Sequence, residues 1–277
     1  MLYESDIVVV GQVRCRPDVP HFRDCGSART YCAIFPRSAV LIRRGDRPPF
    51  VEDPTVVGLY NRGDDYERFK VSPEGDRGDW FGFAPTVIRD ALRSVDPGAA
   101  DSVRPLTIAW ARISARTFLW QRQIFEHVRR TVAPDTVLVD ERCLRLLAAI
   151  VSEAYGGSEG SPVDDREYEL VEATRRAIDK RFAGSLSLAA IANEVGTSPF
   201  HLCRAFRRVA GTSIHRYLTS VRLRRAVECL GRDEVDLGDL AIQLGFNSHS
   251  HFSAAFRREF RITPSICRGR FGTADLC

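Results

Sequence analysis

The sequence predicts an α+β chain in two parts: a strand-rich first part closed by two helices, then an all-α second part. Three observations carry this. The chain has 277 residues, and roughly 100–200 residues make one domain. Its hydrophobic pattern changes from short β-branched runs to a helical repeat after residue 113. Its charge is unevenly placed. The formal net charge is only +4, yet residues 1–163 hold 22 basic and 22 acidic groups, a net of 0, while residues 164–277 hold 18 and 14, a net of +4. Over 181–270 the balance is 14 against 7, or +7. A hydrophobic fraction of 44% and a charged fraction of 27% exclude disordered, collagen-like and coiled-coil chains, whose compositions lie far from the globular average.

The elements follow in order. Ile7–Val10, Tyr31–Phe35, Ala39–Ile42, Thr55–Leu59 and Trp80–Phe83 are short apolar or β-branched runs cut by Pro and Gly clusters at 45–49 and 72–75. Several short strands at this spacing make a sandwich or small barrel. Ser114–Thr131 and Asp135–Tyr155 have helical spacing, with Leu138, Leu144, Leu147 and Val151 among the apolar positions and Asp135 and Asp140 in the first turn of the second. Residues 156–162 lack packing side chains and read as a linker. Ile7–Val10 is too short for a signal peptide, and no run approaches the roughly 18 apolar residues of a membrane span. A cytoplasmic chain without membrane contact is expected.

The basic part repeats itself. Leu188, Ile191, Ala192, Val195, Gly196, Leu202, Phe206, Arg207 and Arg208 correspond to Leu237, Leu240, Ala241, Leu244, Gly245, Phe252, Phe256, Arg257 and Arg258. A small residue where two helices touch and a Gly at a sharp turn make a helix-turn-helix, and here there are two in tandem. At about 100° per residue, Leu202, Phe206 and Val209 form an inward stripe. Phe200, Arg204, Arg207 and Arg208 form the opposite face. In the second copy Phe252, Phe256 and Glu259 face inward, and Ser250, Ala254, Arg257 and Arg258 face outward with His251 beside them. Such faces suit a major groove. Between the copies, Ser213 caps a helix over Ile214–Leu230 with apolar stripes on opposite sides, a spacer about 27 Å long that would set two reading helices about one DNA turn, roughly 34 Å, apart.

The residues Leu186-Ser187-Leu188, Ala192, Ser198, Leu202, Arg204, Phe206, Gly211, Tyr217-Leu218, Arg222-Leu223, Ala226, Ile242, Gly245-Phe246, Ser250, Phe252, Phe256 and Thr263-Pro264-Ser265 resemble the signature of AraC/XylS-type transcription regulators over about 167–270. The neutral part resembles the AraC-type sensor, a cupin-like β-barrel followed by two dimerising helices, on Phe35-Pro36-Arg37-Ser38, Asp53-Pro54, Tyr60-Asn61-Arg62-Gly63 and Gly75-Asp76. The resemblance implies an effector-sensing domain over 1–110, a helical dimerisation segment over 111–157, a linker over 158–166 and a DNA-binding domain over 167–277. It implies base reading by Phe200, Arg204, Ser250, His251 and Ala254. It also implies a small effector, a homodimer, RNA polymerase as a partner, nucleoid association, and activation as the commoner outcome. Arg207, Arg208, Arg257 and Arg258 are read as phosphate contacts on double-stranded promoter DNA, over a site of about 15–20 base pairs. Two departures from the family stand out. Ala254 replaces a common Arg, and Arg261 replaces a common Gly, which predicts a second C-cap of different shape. Both would shift specificity to the first helix.

Other chemistry is thin. A cupin enzyme needs clustered His and carboxylate ligands, and the strand region has only His21, so no catalytic residue, metal or cofactor is assigned. Arg43, Trp80 and Phe81 are candidates for an effector pocket, with Arg44 beside Arg43 as a further cation for an acidic effector. Cys15, Cys25 and Cys32 are candidates for a thiol or metal sensor if their strands bring them together, against the alternative of buried, inert thiols. Trp120, Phe125 and Val128 either dimerise or pack on the chain's own barrel.

Overall fold

The computed structural model describes residues 1–156, 164–231 and 235–272, with Cys25 and Gly272 described by their backbone alone. Compactness divides the chain into Met1–Gly157 together with Arg268–Cys277, and Ser158–Cys267.

The first unit is antiparallel. One sheet has the order β1 (Tyr3–Glu4), β2 (Val8–Cys15), β9 (Asp76–Phe83), β4 (Tyr31–Pro36), β7 (Val56–Tyr60), β10 (Trp110–Arg112). The other has β3 (Asp24–Ser27), β8 (Asp65–Lys70), β5 (Val40–Arg43), β6 (Phe50–Glu52). β9 is the spine of the larger sheet, with Val8 opposite Phe83 on one side and Tyr31 opposite Phe83 on the other. Helices α1 (Pro85–Leu92) and α2 (Pro97–Ala100) follow β9, so the strand region is not free of helix.

Helices α3 (Ala115–Arg130) and α4 (Thr136–Tyr155) start at Ser114 and Asp135, whose side chains accept from Thr117 and Leu138 N–H. Asp140 does more than complement the dipole: it accepts from Tyr3 (2.7 Å) and Ser5 (2.8 Å), tying α4 to the chain's start. Phe125 and Val128 are buried within this unit, so these two side chains are core and are not a free face. The strand β10 crosses the expected 110/111 boundary. Asp165 and Arg166, expected in the linker, already belong to α5; residues 158–163 of that linker lie outside the described residues.

A charged network joins α3 to the larger sheet. Arg122, fully buried, pairs with Asp79 of β9 and with Glu126 (2.6 Å). Arg37 adds to Asp79 at 3.6 Å, and Arg129 to Glu126 at 2.5 Å. Arg122 also lies over the Phe125 ring at 5.2 Å.

The second unit is helical: α5 (Asp165–Arg181), α6 (Leu188–Glu194), α7 (Pro199–Ala210), α8 (Ile214–Leu230), α9 (Leu237–Gln243), α10 (His249–Phe260), then α11 (Pro264–Gly272), which runs across the division between units. α7 ends on Gly211 at φ 61°, ψ 7°. α10 ends on Arg261 at φ 61°, ψ 11°. The expectation of a differently shaped second cap is therefore overturned: Arg261 takes the same left-handed conformation as Gly211, and its N–H bonds to the Arg257 carbonyl (2.9 Å). A left-handed non-Gly residue costs about 1–2 kcal/mol. Arg261→Gly should therefore stabilise this unit by about 1 kcal/mol, less the entropy that Gly adds to the unfolded chain. Urea unfolding followed by circular dichroism checks this; an unchanged midpoint would mean the cap carries no strain.

Candidate nucleic-acid interface

α7 is built to show one face. Ser198 accepts from His201 N–H (3.2 Å), and Pro199 stands in the first turn, where no N–H is needed. Leu202, Ala205, Phe206 and Ala210 turn inward. There, Val171 and Ile178 of α5, Ile191 and Ala192 of α6, and Ile214, Tyr217, Leu218 and Val221 of α8 complete one core. The Phe206 ring meets Tyr217 edge-on at 5.4 Å. Each such side chain contributes about 1.5–3 kcal/mol by leaving water. The helical repeat then puts Phe200, Arg204, Arg207 and Arg208 outside. Phe200 is 79% exposed, so packing does not account for it.

α10 repeats the design. Ser248 accepts from His251 N–H (3.1 Å). Phe246, Phe252, Phe256 and Phe260 form a run of rings at 5.3, 5.7 and 4.7 Å. Ser250, His251, Ala254, Arg257 and Arg258 are exposed. The His251 ring leans on Phe246 at 5.6 Å, which orients it. Glu259 faces inward, toward Ser220 (3.2 Å) and Arg224 (3.7 Å) of α8.

Among the described residues, Arg204, Arg207, Arg257 and Arg258 have no ion-pair partner. Arg208 differs: it pairs with Glu167 of α5. Its charge is partly neutralised, and it is the weakest of the four arginines expected to meet phosphate. The helical unit spends more of its positive charge internally. Arg224 faces Glu259, Arg225 faces Asp179 (3.4 Å), and Arg175 faces Glu172 (2.9 Å). Arg222 donates to three backbone carbonyls: Phe182 (2.7 Å), Gly184 (3.0 Å) and Gly245 (2.7 Å). The excess of basic residues thus overstates the outward charge, part of which stands on α7 and α10. Two solvated guanidinium faces on helices about 10–12 Å wide match a groove about 12 Å wide lined by phosphates.

The strand-rich unit corrects the effector residues. Arg43 lies on the surface and pairs with Glu67. Trp80 and Phe81 are neighbours on β9 and point to opposite faces, so they cannot line one pocket. Phe81 is fully buried and meets Phe35 edge-on at 5.6 Å. Trp80 lies across Gly11, where a Cβ would collide with its indole. The neighbouring cation, Arg44, is far less exposed, with 10% of its side chain accessible. It donates to the Leu59 carbonyl (2.5 Å), reaches Glu52 at 3.3 Å, and stacks on Tyr60 at 3.5 Å, while its Nε has no hydrogen-bond partner. Tyr60 donates to Glu52 (2.8 Å). Burial pushes the Glu52 carboxyl up to about 7, against the opposing pull of Arg44 and the Tyr60 hydroxyl. Sequence reading offers Arg43 and Arg44 side by side and cannot separate them; Glu52 and Tyr60, which do, come from strands β6 and β7, whose pairing no local pattern reveals.

The cysteines do not converge as the sensor idea requires. Cys15 is opposite Asp76 and Cys32 opposite Gly82, six residues apart along β9, or about 20 Å. Both are buried, and burial pushes the Cys32 thiol up to about 12, away from the reactive thiolate. Cys25 falls in β3 of the other sheet, and its side chain lies outside the described residues. His21 is exposed. Among the described residues no group of three or more His, Cys, Asp or Glu is placed to hold a metal ion, and no helix is long and apolar enough to cross a membrane.

Comparison with known proteins bears on the helical unit. Residues 191–270 match a family described as a helix-turn-helix domain. The HTH-type transcriptional regulator GlxA of Rhizobium meliloti is 32% identical over 129 residues, 46% of this chain and 40% of that protein. The HTH-type transcriptional activator RhaS of Escherichia coli is 34% identical over 96 residues, 34% of each chain. The chain therefore spans well under half of these relatives. Among solved structures, an AraC-type DNA-binding domain-containing regulator from Chromobacterium violaceum is 27% identical, covering 40% of this chain and 98% of that one, with a TM-score of 0.37. ToxT from Vibrio cholerae is 14% identical, covering 95% and 98%, with a TM-score of 0.38.

Proposed function

We propose that this chain is a sequence-specific DNA-binding regulator of transcription of the AraC/XylS type and not an enzyme, because residues 191–270 match a helix-turn-helix family and the relatives over this region are HTH-type transcriptional regulators. The observation that carries the reading is the pair of matched helices, α7 and α10, each with a buried apolar stripe and an outward arginine face on which, among the described residues, only Arg208 meets a carboxylate. Arg204 reads a base edge, in the manner of a guanidinium bidentate to guanine. Phe200 supplies an apolar surface suited to a thymine methyl. Ser250 and His251 read the second groove, and Ala254 leaves room there without a donor. Arg207, Arg257 and Arg258 meet phosphates, with Arg208 contributing less.

On a duplex that the wild-type protein selects from a random pool, Arg204→Ala should weaken binding about 10–100-fold, the equivalent of about 1–3 kcal/mol. Arg257→Ala should weaken all duplexes alike and lower the salt slope by about one. Affinity that survives Arg204→Ala but is lost in Arg257→Ala or His251→Ala would reverse the division of labour between the helices.

We further propose that the strand-rich unit is a cupin-like sensor for a small effector, that the chain acts as a homodimer, and that it works with RNA polymerase as an activator, as the resemblance implies. Arg44, with its unused Nε beside Glu52 and Tyr60, supports an acidic or hydrogen-bonding effector held there rather than at Arg43. An effector that raises the unfolding temperature of wild type but also of Arg44→Met would place the site elsewhere.

A further inference from the structure

Arg222 stands near the middle of α8, and its guanidinium is spent entirely on backbone. Nε donates to the Phe182 carbonyl (2.7 Å), Nη2 to Gly184 (3.0 Å) and Nη1 to Gly245 (2.7 Å). The first two acceptors belong to the turn that ends α5, just before the first helix-turn-helix. The third lies in the turn between α9 and α10, three residues before the Ser248 cap of the second reading helix. One rigid side chain thus spans from the first subdomain to the root of the second reader. The two turns meet almost backbone to backbone: a Cβ on Gly245 would lie 2.8 Å from the Ala183 carbonyl and 2.7 Å from Arg222 Nη2. The Arg222 guanidinium also lies over Phe246 at 5.8 Å, the ring that supports His251.

Stability alone is a poor reason for this arrangement. The site is half-buried and depresses the guanidinium's proton affinity, and no carboxylate pairs with Arg222 among the described residues. Neutral carbonyls compensate a desolvated charge less well than an ion pair does, and an apolar side chain of similar volume is often as stabilising. A planar fork of donors does something an apolar chain cannot: it fixes the directions of three carbonyls at once. We propose that Arg222 is the positioning residue that sets the phase between the two reading helices, so that the protein accepts one spacing of its two half-sites. The proposal rests on the DNA-reading role of α7 and α10.

The test uses the full chain and a duplex selected by it from a random pool, together with duplexes carrying one base pair inserted or deleted between the half-sites. One base pair moves a half-site by about 3.4 Å and turns it by about 35°. At fixed salt, wild type should lose about 30-fold or more in affinity on either change. Arg222→Met should bind the original duplex several-fold more weakly, yet lose only about threefold or less on the change of spacing. Arg222→Lys keeps the charge but has one compact ammonium in place of the fork, and it should relax spacing in the same way; it carries the test if Arg222→Met does not fold by circular dichroism. A residue of merely structural importance would lower affinity for all spacings by one factor, so an unchanged spacing penalty in both variants overturns the proposal. Absence of a spacing penalty in wild type also overturns it while leaving the DNA-reading role intact. Failure of wild type to select any duplex removes both.

Discussion

Gly245→Ala is expected to cost the helical unit about 2–5 kcal/mol. Two terms add. At φ 80° any L side chain pays about 1–2 kcal/mol for the left-handed region. The new methyl would then sit 2.7 Å from Arg222 Nη2 and 2.8 Å from the Ala183 carbonyl, and overpacking of this kind costs about 1–3 kcal/mol. Relief by swinging Arg222 away would sacrifice its three carbonyl bonds. The first copy supplies the control. Gly196 holds the matching turn at φ 71°, with nothing within 4 Å of where a Cβ would go, so Gly196→Ala should show the conformational term alone. Far-UV circular dichroism in urea reads both. Equal losses in the two variants would show that the turn at 245 has room to yield.

Arg122→Ala should destabilise the strand-rich unit by about 3–5 kcal/mol, the cost of leaving buried charge without its partner. Asp79 would keep Arg37 at 3.6 Å, and Glu126 would keep Arg129, but the cation between them would be gone. Burial already raises the Asp79 carboxyl above its ordinary range despite Arg122. A carboxyl whose folded value is raised binds its proton more tightly when folded, so it favours folding at low pH and loses that contribution as pH rises through the folded value. The deficit of Arg122→Ala relative to wild type should therefore narrow on acidification. All three tryptophans, Trp80, Trp110 and Trp120, lie in this unit, so intrinsic fluorescence follows its unfolding separately from the helical signal. A loss below 1 kcal/mol, independent of pH, would mean that water reaches Asp79.

The outward faces of α7 and α10 were legible in the sequence because a two-sided helix writes its period directly: Leu202 and Phe206, then Phe252 and Phe256, fix which arginines look out. The spacer helix was legible for the same reason, down to its Ser213 cap. What escaped depends on partners without a local pattern. Arg222 stood in the resembling motif, but backbone carbonyls accept from any residue type and leave no mark in the sequence. Arg208 had the right angle, and only the fold brings Glu167 to it. Arg261 departs from the expected Gly, yet it takes the same left-handed cap, which its residue type alone does not foretell. In the sheets, alternation separates Trp80 from Phe81 once the strand is known, but β8, with charges at Asp65, Glu67, Arg68 and Lys70, has too little apolar pattern to be seen as a strand.

Both reading faces are charged by arginine alone. The chain has only two lysines, Lys70 on β8 and Lys180 in the last turn of α5, and neither lies on α7 or α10. A guanidinium keeps its proton at any physiological pH, and it is no substrate for the acetylation that neutralises an ammonium. In the proposed function, the grip on DNA would therefore be set by dissolved salt and by carboxylates such as Glu167, and lysine acetylation would have no handle on either face.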